Sequence, residues 1–164
     1  MKSVKHLAVA ALLTMGAFGA VTMVSCSKDD DTTCPTGYEG SDCKTEVRTQ
    51  YAYTYKGNGT YTSTDPNDPS GSFTNWGIAF SPNGTDATSM NMQLLDANLA
   101  SQLAFTVTLK SNTTFTVDAK TSGNNSYTGS GTVNTTSASL TLTETNNASG
   151  TTTTTTYTFS DMVK

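Results

Sequence analysis

Between Thr45 and Lys164, apolar residues recur at every second position in short runs separated by turn-forming residues. A period of two predicts strands with one face in a core and the other in water. Val47, Tyr51, Tyr53 and Tyr55 share one parity ahead of a turn expected at Gly57-Asn58-Gly59, and Tyr61 carries the next strand to the Asp65-Pro66-Asn67-Asp68-Pro69 loop. Trp76, Ile78 and Phe80 line one face before a turn at Ser81-Pro82-Asn83-Gly84. Met90, Met92 and Leu94 follow, then a short helical turn around Asp96-Ala97-Asn98-Leu99. The cleanest alternation is Leu103, Phe105, Val107 and Leu109; a turn at Ser111-Asn112 leads to Phe115, Val117 and Ala119. Tyr127, Gly129, Gly131 and Val133 make a further strand, Ala138, Leu140 and Leu142 another, and the threonine run 151–156 leads into Tyr157 and Phe159.

Strands of this length joined by tight turns pair with their sequence neighbours as an antiparallel meander. The expected fold is therefore all-β, with eight or nine strands. A small lipocalin-like up-and-down barrel is favoured over a two-sheet β-sandwich, and the Gly129/Gly131 strand is a place for sharp coiling.

Composition supports an extracellular β domain. Charged residues are 13% of the chain, and threonine, stiff at χ1 and suited to a solvent-facing sheet, makes up about a fifth of it. The formal charge of −4, without a basic cluster, speaks against nucleic acid as a partner.

The N-terminus has a different pattern. Lys2, Lys5 and His6 precede an apolar stretch from Leu7 to Val24, as in a secretory signal. Val24-Ser25-Cys26 resembles the lipobox of bacterial lipoproteins, with Met23 where leucine is usual. That resemblance implies a signal peptide over residues 1–25, a diacylglycerol on Cys26, and anchoring to a membrane through the acyl chains. Cys26-Ser27-Lys28-Asp29-Asp30-Asp31 is similar to the surface-export signal of Bacteroidota lipoproteins, which makes 26–33 an acidic tether. The implied location is the bacterial outer membrane, surface-exposed.

Cleavage there removes two lysines and no acid, moving the charge from −4 to −6, and it removes His6, the one histidine. With Cys26 lipidated, Cys34 and Cys43 remain to form one disulfide. Cys34-Pro35-Thr36-Gly37-Tyr38-Glu39-Gly40-Ser41-Asp42-Cys43 resembles the last disulfide loop of an EGF-like domain, although the other four cysteines of that module are missing. The chain as a whole looks like the small surface lipoproteins of the Bacteroidota: signal 1–25, tether 26–33, EGF-like loop 34–43 and a β domain over 45–164. Asp31-Thr32-Thr33 also resembles an O-glycosylation motif of that phylum, which implies a sugar on Thr32.

For chemistry, the mature chain lacks the imidazole and the free thiol that most nucleophilic and zinc sites need. Its acids, Glu46, Asp65, Asp68, Asp86, Asp96, Asp118, Glu144 and Asp161, are scattered singly apart from Asp65 with Asp68. The expectation is no catalytic residue, no metal and no cofactor. Trp76 and the row Tyr51, Tyr53 and Tyr55 are the candidates for stacking on a ligand, with core packing as the competing role. The expected function is a lipid-anchored, non-catalytic surface module binding a glycan or protein partner or serving structurally. The alternative is a carrier holding a small apolar molecule inside the barrel.

Overall fold

The computed structural model describes residues 33–148 and 150–164. The signal segment, Cys26, Thr32 and tether residues 26–32 lie outside the described residues. Within them the chain forms a closed eight-stranded antiparallel barrel, preceded by a small disulfide-bridged segment.

That segment holds two short paired strands, β1 (Tyr38–Glu39) and β2 (Thr45–Glu46), and a 3₁₀ turn over Val47–Thr49. The Cys34–Cys43 disulfide is formed. Gly37 and Gly40 sit at φ +93° and +87°, which a side chain would strain. The barrel runs β3 (Thr54–Ser63), β4 (Ser70–Pro82), β5 (Ser89–Leu95), β6 (Ser101–Leu109), β7 (Thr114–Ser122), β8 (Asn125–Val133), β9 (Ser137–Ala148) and β10 (Thr151–Val163). Each strand pairs with the next, and β10 closes on β3 with Thr155 opposite Ser63 and Tyr157 opposite Tyr61. The meander and its closure are as the alternation predicts.

Three local expectations change. Gly57-Asn58-Gly59 is not a turn: β3 runs straight through it, with a register shift against β4. Both glycines face inward, where a Cβ on Gly59 would lie 2.5 Å from the Phe159 ring and one on Gly57 2.8 Å from the Met162 sulfur. They are small to make room, and the sequence signal for that is the same as for a turn. Val47 does not extend the tyrosine strand but sits buried in the 3₁₀ turn. Residues 96–100 form a tight non-helical turn, in which the Asp96 carboxylate accepts from the Asn98 and Ala100 amides.

The inward positions fill the barrel. Tyr55, Ile78, Met90, Met92, Leu94, Phe115, Leu140, Leu142, Phe159 and Met162 are each at most 2% exposed, and Phe105 is also buried. Outward positions carry Lys56, Asn58, Thr60 and Thr62 on β3, Asn91 and Gln93 on β5, and Thr128, Ser130 and Thr132 on β8. A transmembrane barrel has the reverse arrangement, apolar outside and polar within. This barrel is built to stand in water.

One end of the barrel is plugged by residues 34–53. Gly37 N–H donates to the Asn112 side chain, whose amide donates back to Tyr38 C=O, and the Tyr51 hydroxyl donates to Asn112 C=O at 2.5 Å. Arg48, 5% exposed, donates to the carbonyls of Asn83, Asp86, Ser89 and Gly84 and to Glu46 Oε2.

Beneath the plug, the Tyr55 hydroxyl donates to Asn134 C=O. Burial pushes its phenol from 10.0 up to about 12, and burial followed by the Glu39 charge raises Tyr51 as well. A folded-state value above the unfolded one favours the protonated form. That contribution to stability is whole below pH 10 and disappears as pH climbs through about 12. Urea midpoints should therefore hold steady to pH 10 and fall steeply beyond it, with a shallower fall in Tyr55→Phe; an equal slope in that variant would refute this origin.

Candidate functional site

The opposite end is open, and the strand ends gather aromatic side chains there. Tyr61 at the end of β3, Phe73 and Trp76 near the start of β4, and Tyr157 and Phe159 in β10 form one connected group of rings. Phe73 lies 4.5 Å from Trp76 and 5.9 Å from Phe159, centroid to centroid, the latter pair nearly parallel at 17°. Tyr61 is 5.4 Å from Phe73 and 6.2 Å from Tyr157. The register explains the grouping. Gly59 stands between Phe159 on one neighbour and Phe73 on the other, so those two rings close over a position without a side chain. Gly71, opposite Tyr61, is covered by the Tyr61 ring in the same way.

A carboxylate faces these rings. Glu144 is the next residue of inward parity after Ala138, Leu140 and Leu142 on β9. Its Oε2 accepts from the Tyr157 hydroxyl at 2.8 Å and its Oε1 from the Tyr127 hydroxyl at 3.2 Å. Burial first, then the hydrogen bond to Glu144, raises the Tyr157 phenol well above its ordinary value, so it remains a donor. Tyr127 is raised as well, chiefly by burial. Asp68, in the β3–β4 loop, accepts from the Tyr61 hydroxyl, a bond that raises the Tyr61 phenol. With Leu94, Gln102, Leu103 and Thr155, these residues enclose a cleft of about 420 Å³. A groove of about 450 Å³ on the outer wall, between Ser81, Asn91, Thr106 and Lys120, is a depression between outward polar side chains.

The four residues proposed for stacking are not brought together. Trp76 belongs to the open mouth. Tyr51 is buried in the plug and Tyr55 in the core, while Tyr53 is 44% exposed with the Lys164 ammonium 3.0 Å from its ring centroid. Sequence reasoning missed Glu144, Tyr61, Phe73, Tyr127 and Tyr157. The available signal was Glu144, a charge standing in the inward register of an otherwise apolar strand. Among the described residues, no three His, Cys, Asp or Glu side chains gather at metal-binding distance. Cys34 and Cys43 bridge to each other, and Thr32 and Cys26 lie outside the described residues.

Fold and mouth together define a small meander barrel with a polar outer wall, plugged at one end and open at an aromatic recess at the other. No protein-family model matches the chain, and no curated protein does. Among solved structures it is similar to a crystal structure from Bacteroides fragilis, provisionally named an outer membrane protein. The identity is 18%, the TM-score 0.46, and the match covers 72% of this chain and 52% of that one. The chain thus spans about half the length of that protein.

Proposed function

We propose that the protein is a lipid-anchored, non-catalytic binding module of a bacterial outer-membrane surface, and that the aromatic mouth of the barrel is its binding site. The observation carrying this reading is the recess itself: five connected rings, packed on the barrel core, and a tyrosine-held carboxylate at the unplugged end. The polar outer wall leaves the barrel without a membrane-facing surface of its own, so attachment falls to Cys26 and its acyl chains. Residues 34–53 fill one end of the barrel, and the mouth is the end they leave uncovered. A sugar on Thr32 would belong to the same exposed setting.

The carrier alternative needs an interior chamber, and Met90, Met92, Phe105 and Phe115 occupy that space. That filling favours ligand binding at the rim over storage within the barrel.

Two measurements test the reading. Cys26→Ala should move the protein from the membrane fraction to the soluble one, and continued membrane retention would refute the anchor. Binding to glycan arrays or in cell-surface pull-downs should be lost in Tyr61→Ala and kept in Tyr53→Ala; silence of the unaltered protein across both panels would leave a coat role instead.

A further inference from the structure

The recess has a lopsided hydrogen-bonding character. Nearly all its side-chain donors are spent internally. The Tyr61 hydroxyl is committed to Asp68, and those of Tyr127 and Tyr157 to Glu144. The Gln102 amide donates to Asp96 Oδ2 and Ala100 C=O, and the Thr155 hydroxyl to Ser63 Oγ. Among the described residues, the Trp76 indole N–H alone of these donors has no partner. Acceptors are plentiful by contrast: a carboxylate oxygen holds more lone pairs than the one donor each Glu144 oxygen receives, and the second Asp68 oxygen and the Gln102 carbonyl add to them. Among the described residues, the lining contains two carboxylates and no Lys, Arg or His.

A ligand rich in acceptors would find a single donor to meet it. One that brings donors and positive charge meets every feature of the lining. We propose that the mouth recognises a primary ammonium group carried on an apolar body, with the ammonium at Glu144 and the body against Trp76, Phe73 and Tyr61. The two tyrosines hold the carboxylate before the ligand arrives, so little ordering is left to pay on binding. The ring faces add a cation–π attraction that a neutral molecule of the same shape does not receive. A free amine and a lysine side chain share this chemistry. The inference rests on the mouth being a binding site and specifies what that site takes.

Trp76 is the only tryptophan, so intrinsic fluorescence reads the recess directly. Full-length protein in detergent would be titrated with 2-phenylethylamine, with 2-phenylethanol as the neutral counterpart, with a short peptide carrying one lysine, and with methyl glucoside. The expected result is a saturable change with the amine, at an affinity about tenfold or more above that of the alcohol. In Glu144→Gln that preference should disappear while the near-ultraviolet dichroism stays unaltered. A peptide binding more tightly than the free amine would identify lysine side chains as the source, and the reverse a free amine. Equal affinity for amine and alcohol overturns the proposal. Saturation by methyl glucoside without any by the amines also overturns it while leaving the mouth a binding site. No response to any of the four overturns it as well. The amine–alcohol comparison in the unaltered protein stands even if Glu144→Gln fails to fold.

Discussion

Arg48→Ala should cost the protein about 3–5 kcal/mol, the range found when one partner of a buried charged network is removed. The guanidinium is 5% exposed and its nitrogens reach four main-chain carbonyls, at 2.6 Å for Asp86, 2.9 Å for Asn83, 3.1 Å for Ser89 and 3.2 Å for Gly84. Those carbonyls belong to one stretch, residues 83–89, which wraps the side chain. Glu46 supplies the counter-charge at 2.8 Å. Without Arg48 the loop carbonyls face one another around a void, and the plug loses its strongest attachment to the β4–β5 loop. Lysine should rescue little, because a single ammonium cannot fork toward carbonyls on several sides. Urea unfolding measures the loss, and limited proteolysis between Cys34 and Tyr53 locates it. A cost below about 1 kcal/mol would mean the plug is held mainly by Tyr51 and Asn112.

Gly131→Ala is the second change with a large expected effect, about 3 kcal/mol, at the upper end of what an overpacked core costs. A Cβ there falls well inside 3.0 Å of Ser139 C=O and lies 2.5 Å from Phe115 Cζ. The first contact is backbone, so no rotamer relieves it, and β8 and β9 would have to part. Gly129 two residues earlier is similarly crowded, 2.5 Å from Thr141 C=O. Gly77→Ala is the control: its nearest neighbours are the Thr54 methyl at 3.2 Å and Leu95 Cβ at 3.4 Å, and it should cost far less. Thermal midpoints of the two variants, measured together, decide the matter; equal shifts would refute the crowding argument.

How far the chain could be read without coordinates depended on the range of the interactions concerned. Alternation is a property of adjacent residues. The strand rows Leu103–Leu109 and Ala138–Leu142 were therefore legible, whereas Gly129 and Gly131, read as a place for sharp coiling, sit where β9 backbone leaves no room for a Cβ. The tyrosine row failed because parity alone does not reveal a break: the 3₁₀ turn at Val47–Thr49 and a strand beginning only at Thr54 send Tyr51, Tyr53 and Tyr55 to three environments. Trp76 was correctly placed in register with Ile78 and Phe80. Its position toward the rim depends on where β4 starts, which composition does not mark. The rest of the recess comes from residues as distant as Tyr61 and Tyr157, made neighbours only by the β3–β10 seam. Glu144 was the exception, visible in the sequence as one acid among leucines yet passed over as one more isolated charge.

That seam also governs how the molecule can come together. Every other strand pair joins neighbours in sequence, whereas β3 must wait for a partner some ninety residues downstream, as in the pairing of Ser63 with Thr155. Loop-closure entropy makes such a contact late and slow. Until β10 docks, the half-made sheet has two bare edges, β3 and β9, each a template for another chain's backbone. The run Thr151–Thr156 begins that last strand, polar enough to remain dissolved while unpaired and β-branched enough to zip in once β3 and β9 are in place. Loss of these final residues would therefore do more than shorten the protein: it would leave a curved open sheet prone to self-association.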